Sequence, residues 1–125
     1  ADISFLSEGT DGELTFPDLL IEMIRKRNLD NTSVYKKANI DRRFFSKIIS
    51  SKNYIPKRKI VMALGLSLRL TPLEFVDFMA SAGYAFMPSS KLDRIVKACV
   101  IKKEYDIYKV NQYLYALCNE CLIEE

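Results

Sequence analysis

Arg42, Arg43, Ser46, Lys47, Lys52, Asn53, Lys57 and Arg58 fall within a single stretch of 17 residues, a density of donors suited to binding anions. They belong to a longer basic window, residues 25 to 59, with twelve Lys or Arg against two acids, Asp30 and Asp41, and a net charge of +10. The whole chain of 125 residues carries only +3, so the remainder sums to −7, and residues 1 to 24 hold six acids and no base. Charge placed this unevenly points to a polyanionic partner on one face.

Other chemistries find little support. The chain has no His, which removes the commonest general base near neutral pH and every Ser/His or Cys/His nucleophile pair. Its four glycines, Gly9, Gly12, Gly65 and Gly83, form no phosphate-cradling cluster. Cys118 and Cys121 make a C-x-x-C, with Cys99 apart. A structural zinc site takes four ligands, so a carboxylate or a second chain would have to complete one here. The thiols therefore read as buried or incidental groups in a reducing compartment. These features argue against an enzyme and imply no cofactor and no metal.

A chain of this length with 49% hydrophobic residues suits one compact core. No apolar run approaches the roughly 18 residues of a membrane span, and the opening ADISFLSEGTDGE lacks the basic start of a secretory signal. The expectation is a cytoplasmic protein with no membrane partner. The first residue is Ala1, not Met, which suggests a piece of a longer protein.

The elements that must position the basic residues are helical. Residues 1 to 14 are acidic, contain two glycines and show no sustained period, so they read as a flexible lead-in or linker. Residues 15 to 120 form the domain. A first helix starts at Pro17, repeats Leu19, Leu20, Met23 and Ile24, and ends near Asn28. Asp30, Asn31, Thr32 and Ser33 offer caps for a second helix through Ala38, and Asn39 suits a left-handed turn. A third runs over residues 41 to 50. After SSKNYIP come a fourth helix with Ile60, Val61, Ala63 and Leu64, and a fifth begun by Thr71-Pro72 and stopped at Gly83. Leu73, Phe75, Val76, Phe78 and Met79 fill that fifth helix. A sixth is capped by Ser89 and Ser90; a seventh opens at Asp106, with Ile107, Val110, Tyr113, Leu114, Leu117 and Cys118 inward. The class is all-α.

The segment NTSVYKKANIDRRFFSKIISSKNYIPKRKIVMALGLSL resembles the Cro and λ-repressor-like helix-turn-helix family. Val34, Ile40, Phe45 and Ile48 match its buried positions, Asn39 its turn position, and Pro56 and Ala63 its loop and fourth helix. The five-helix core would cover about residues 16–83, with two additional C-terminal helices. A narrower resemblance, carried by SVYKKANIDRRFFSKIISSKNY, AGYAFMPSSKLDRIV and YDIYKVNQYLYAL, is to the helical module at the C-terminal end of bacterial macro-domain, or ADP-ribose-binding, proteins. That implies a preceding N-terminal domain which would hold the ADP-ribose chemistry.

The resemblance implies a domain that binds double-stranded DNA, as a transcriptional regulator or as the targeting module of a larger protein. Arg42, Arg43, Ser46 and Lys47 match positions that face base edges, where the planar Arg fork suits the paired acceptors of guanine. Asn31, Lys52, Asn53, Lys57 and Arg58 match positions that grip phosphates. Two departures support the alternative of a protein-interaction module that has lost DNA binding. Tyr35 stands where the family places a small residue, with Ala38 where it places a larger aliphatic one. Phe44 and Ile49, together with Tyr54 in the basic loop, would form an apolar surface on and beside the third helix. The Leu, Ile and Tyr stripes of the last two helices read as core or as the seam of a homodimer.

Overall fold

The computed structural model describes residues 2–6 and 14–122, so the acidic lead-in lies mostly outside the described residues. Among these, seven helices follow one another with no strand: α1 Phe16–Lys26, α2 Asn31–Lys37, α3 Arg42–Ser50, α4 Arg58–Ser67, α5 Pro72–Ser81, α6 Lys91–Ile101 and α7 Ile107–Cys118. The protein is all-α. None of these helices is long and apolar enough to cross a membrane.

Six of the seven starts are fixed by a side-chain cap. Thr15 and Asp18 form a reciprocal box at α1, as do Thr71 and Glu74 at α5, and each has proline in the first turn. Asp30, Asp41, Ser90 and Asp106 cap α2, α3, α6 and α7. Only α4 lacks such a bond, at Lys57.

Six helices also end alike, on a residue with positive φ: Asn28, Asn39, Arg69, Gly83, Lys103 and Asn119. In five of them the next N–H reaches back five residues, as from Leu29 to Ile24, Ile40 to Tyr35 and Glu104 to Cys99, over 2.8 to 3.4 Å. This double closure satisfies carbonyls that the helix leaves open and reverses the chain in two residues. Asn and Gly reach the left-handed region easily, whereas Arg69 and Lys103 enter it at a cost.

α4 lies at the centre. Every residue from Ile60 to Ser67 is buried, so this helix has no polar face. It packs against α5, α2 and α7, while α1 covers α3 and α5, and α6 bridges α5 and α7. A Cβ on Gly65 would stand 2.6 Å from the Phe75 ring, so glycine permits this crossing. Phe75 also stacks on Phe86, with centroids 5.5 Å apart, and Phe16 meets Phe78 at 5.0 Å. The buried Ser67 hydroxyl donates to the Val34 carbonyl at 2.6 Å, tying α4 to α2 without an orphaned polar atom.

The buried stripes of α5 and α7 are narrower than their apolar residues suggest, and for α7 this corrects the inward set. Leu73 and Val76 of α5 are exposed, because its buried stripe consists of Phe75, Phe78 and Met79. On α7 the buried stripe is Ile107, Val110 and Leu114; Tyr113 and Leu117 lie to its side and face solvent. Both helices are apolar on more than one face, so periodicity alone selects too broad a stripe.

Replacing Lys103 by Gly is expected to raise stability by about 1 kcal/mol by removing the left-handed penalty, whereas Lys103→Ala leaves it in place. Urea midpoints compare the two. Gly65→Ala is expected to lower stability by roughly 1 kcal/mol, since overpacking against Phe75 outweighs the helix preference of Ala. Adding Phe75→Leu should recover part of that loss.

Candidate nucleic-acid interface

The basic helix is set by the turn before it. Val34, Ala38 and Ile40 are buried, Asn39 turns the chain at φ 59°, and the Asp41 carboxylate accepts the Phe44 N–H at 2.7 Å. These contacts orient α3 so that Phe45 and Ile48 point into the core. Helical geometry then leaves Arg42, Arg43, Ser46 and Lys47 outward, and all four are exposed. Tyr35 is half-buried with its ring 5.6 Å from Phe45, beside the fully enclosed Ala38, so the exchange of volumes is absorbed inside the fold.

Phe44, Ile49 and Tyr54 differ from the apolar surface that the sequence suggests. All three are half-buried and pack against the core. Phe44 meets Tyr54 edge-on at 6.2 Å, and the Lys47 ammonium lies 4.3 Å from the centre of the Tyr54 ring. The loop after α3 folds back here: Pro56 is buried, and its carbonyl accepts the Tyr84 hydroxyl at 2.8 Å. Tyr84 is 28 residues from its partner, and nothing in the local sequence marks the pairing.

Asn31 is the exposed first residue of α2, and Lys52, Asn53 and Lys57 are exposed around the loop. Lys52 stands near the start of α1. Asp18 there is held below the usual carboxylate value by Thr15, with a smaller contribution from Lys52.

Arg58 is a correction. Its guanidinium makes a two-pronged pair with the buried Asp93 of α6 and donates to the Ala85 carbonyl at 2.6 Å. Asp93 also accepts the Met87 N–H at 2.5 Å and the Ser90 hydroxyl at 3.2 Å. Arg58 thus joins the start of α4 to α6 and is removed from the phosphate set. The sequence shows the charge of Arg58 but not the acid 35 positions away.

Three more cations of the basic window pair with acids outside it: Lys26 with Glu22, Arg27 with Glu74, and Lys59 with Glu120. The window's own acids, Asp30 and Asp41, are both helix caps. Arg42, Arg43 and Lys47 form no ion pair among the described residues. Positive potential is therefore retained on the outer side of α3. Cys99 is buried, and burial, with Glu104 adding to it, raises the thiol's pKa; Cys118 and Cys121 are half-buried free thiols. No group of three metal-ligating side chains occurs among the described residues.

Compared with known proteins, the chain matches no family, no curated sequence and no solved structure. The functional reading rests on the arrangement of α2, α3 and their loops.

Burial alone would push the Asp93 carboxyl up, but Arg58, the Met87 N–H and Ser90 together hold it below its ordinary value of 3.8. The stabilisation is therefore complete above the unfolded carboxyl pKa and is lost as pH falls through the lower folded value. Asp93→Asn is expected to cost about 3 kcal/mol near neutral pH by leaving Arg58 without its counter-charge. Unfolding curves of both proteins from pH 7 down to pH 2 should show the difference shrinking at the acid end.

Proposed function

We propose that this chain is a Cro/λ-repressor-like helix-turn-helix domain that binds double-stranded DNA, with α3 entering the major groove. Its five-helix core would be α1 to α5, about residues 16–83, extended by α6 and α7. The observation that carries this reading is the outer side of α3, where Arg42, Arg43, Ser46 and Lys47 stand exposed beside a turn closed by left-handed Asn39. Arg42, Arg43 and Lys47 would meet base edges, with Ser46 adding a short contact. Asn31, Lys52, Asn53 and Lys57 would meet phosphates on either side. In the cell the domain would act in the cytoplasm as a regulator or as the targeting module of a longer bacterial protein with a macro domain ahead of it.

One observation favours a second reading, a protein-interaction module on the same fold. Tyr113, Tyr115 and Leu117 of α7 are exposed, which suits a homodimer seam or contact with an attached N-terminal domain. Phe44, Ile49 and Tyr54, half-buried against the core, offer less apolar surface to that case than their types suggest.

Titration of a random duplex at several salt concentrations separates the two. Binding should weaken steeply with salt, and Lys52→Ala should flatten the logarithmic slope by about 0.9, the value for one phosphate. Arg42→Ala or Arg43→Ala should cost about 1 to 3 kcal/mol on a selected site and much less on random duplex. No duplex binding at low salt would overturn the DNA reading.

A further inference from the structure

Two adjoining cavities run from the foot of α3 to the loop between α6 and α7, and Tyr108 lines both. The first, about 520 Å³, is bounded by Lys36, Asn39, Asp41 and Phe44; the second, about 400 Å³, by Lys37, Arg69, Lys103 and Tyr105. Sharing Tyr108, they lie side by side between the α2–α3 turn and the helices that follow residue 83.

Four cations edge these cavities, Lys36, Lys37, Arg69 and Lys103. All are exposed, and none forms an ion pair among the described residues. The three acids beside them are already engaged. Asp41 and Asp106 cap α3 and α7, and Glu104 lies 3.9 Å from the Lys109 ammonium and accepts the Tyr113 hydroxyl at 3.5 Å. These carboxylates keep their charge, but the four cations outnumber them, so an incoming anion still meets available donors.

The backbone supplies an independent observation. Of the six residues that end helices with positive φ, four are Asn or Gly, which suit the position. The other two, Arg69 and Lys103, both line the second cavity. A cation complementing a helix C-terminus needs only to lie in or near the last turn, and not at the strained position itself. Strain at two basic residues around one cavity points to a use for their side chains. Arg69 is held in place by the Tyr105 ring, 4.9 Å away, whose hydroxyl donates to the Leu70 carbonyl at 2.7 Å.

We propose that Lys36, Lys37, Arg69 and Lys103 form a second phosphate-binding track, which grips the duplex backbone next to the segment that α3 reads. The inference rests on the DNA reading above and assigns α6 and α7 a part in it: their connecting loop extends the interface past the turn. Tyr108, exposed and shared by the two cavities, would pack on the sugar edge. The occupant is the sugar-phosphate backbone of duplex DNA, because the track begins at the foot of α3 and its four cations outnumber the three carboxylates beside them.

The test uses the full chain and a random duplex across a salt series, with Arg69→Gly/Lys103→Gly as the main variant. Glycine removes both charges and also relaxes both backbones, so the variant should melt cooperatively at no lower temperature than the parent. It should nevertheless lose about 1.8 from the logarithmic salt slope, and bind several-fold more weakly at moderate salt. Lys36→Ala/Lys37→Ala should behave alike, while Lys91→Ala/Lys97→Ala, equal in charge but on the exposed side of α6, should change the slope little. If the parent binds and Arg42→Ala weakens it, but the track variants keep the parental slope, the track is overturned and the α3 reading survives. Equal losses in the track and control variants would reduce the effect to net charge and also overturn the track. A parent that binds no duplex at low salt overturns both.

Discussion

From Ile60 to Ser67 every residue of α4 is buried, and this single burial requirement organises the other helices. A helix apolar all round must be covered on every side. Here α2, α5 and α7 supply the cover, and α1, α3 and α6 reach it through them. Gly65 sets how near α5 can come, since the Phe75 ring occupies the space where any other residue would place a Cβ. The polar atom that the arrangement does bury, the Ser67 hydroxyl, is answered by a carbonyl of α2. The position of α2, and through its turn that of α3, therefore follows from packing on α4.

That dependence also explains why the last two helices are integral to the fold. α7 covers one side of α4, and Asp93 of α6 neutralises the guanidinium at the start of α4, where no side-chain cap exists. Tyr84 and Tyr105 add hydrogen bonds from the C-terminal part to the Pro56 and Leu70 carbonyls. Both tyrosine hydroxyls fasten loops to the core.

Local signals made the helices legible in the sequence. Thr-Pro at α5, Asp30, Asp41, Ser90 and Asp106 at the caps, and Asn39 and Gly83 at the turns act over three or four residues, so each can be read without knowing the fold. Arg69 and Lys103 were not legible as left-handed residues, because neither is a type that prefers the region. Nor were Arg58 with Asp93, Lys47 over Tyr54, or the inward turn of Phe44, which depend on elements brought together only by packing. Sequence therefore identified the exposed set on α3 and misassigned residues at its margins, where half-burial is decided by the neighbouring loop.

The charge pattern, in turn, can be explained by folding requirements only in part. Helix caps account for both acids of the basic window, an i,i+4 pair accounts for Lys26, and tertiary ion pairs account for Arg27, Arg58 and Lys59. The last turns of α1, α2 and α3 also suit the cations they carry, Arg25, Lys36, Lys37 and Lys47, whatever else these bind. Of the rest, Arg42 and Arg43 stand in the first turn of α3. Cations near a helix N-terminus oppose its dipole. The helix dipole alone disfavours that placement, and the anionic partner proposed above would offset it.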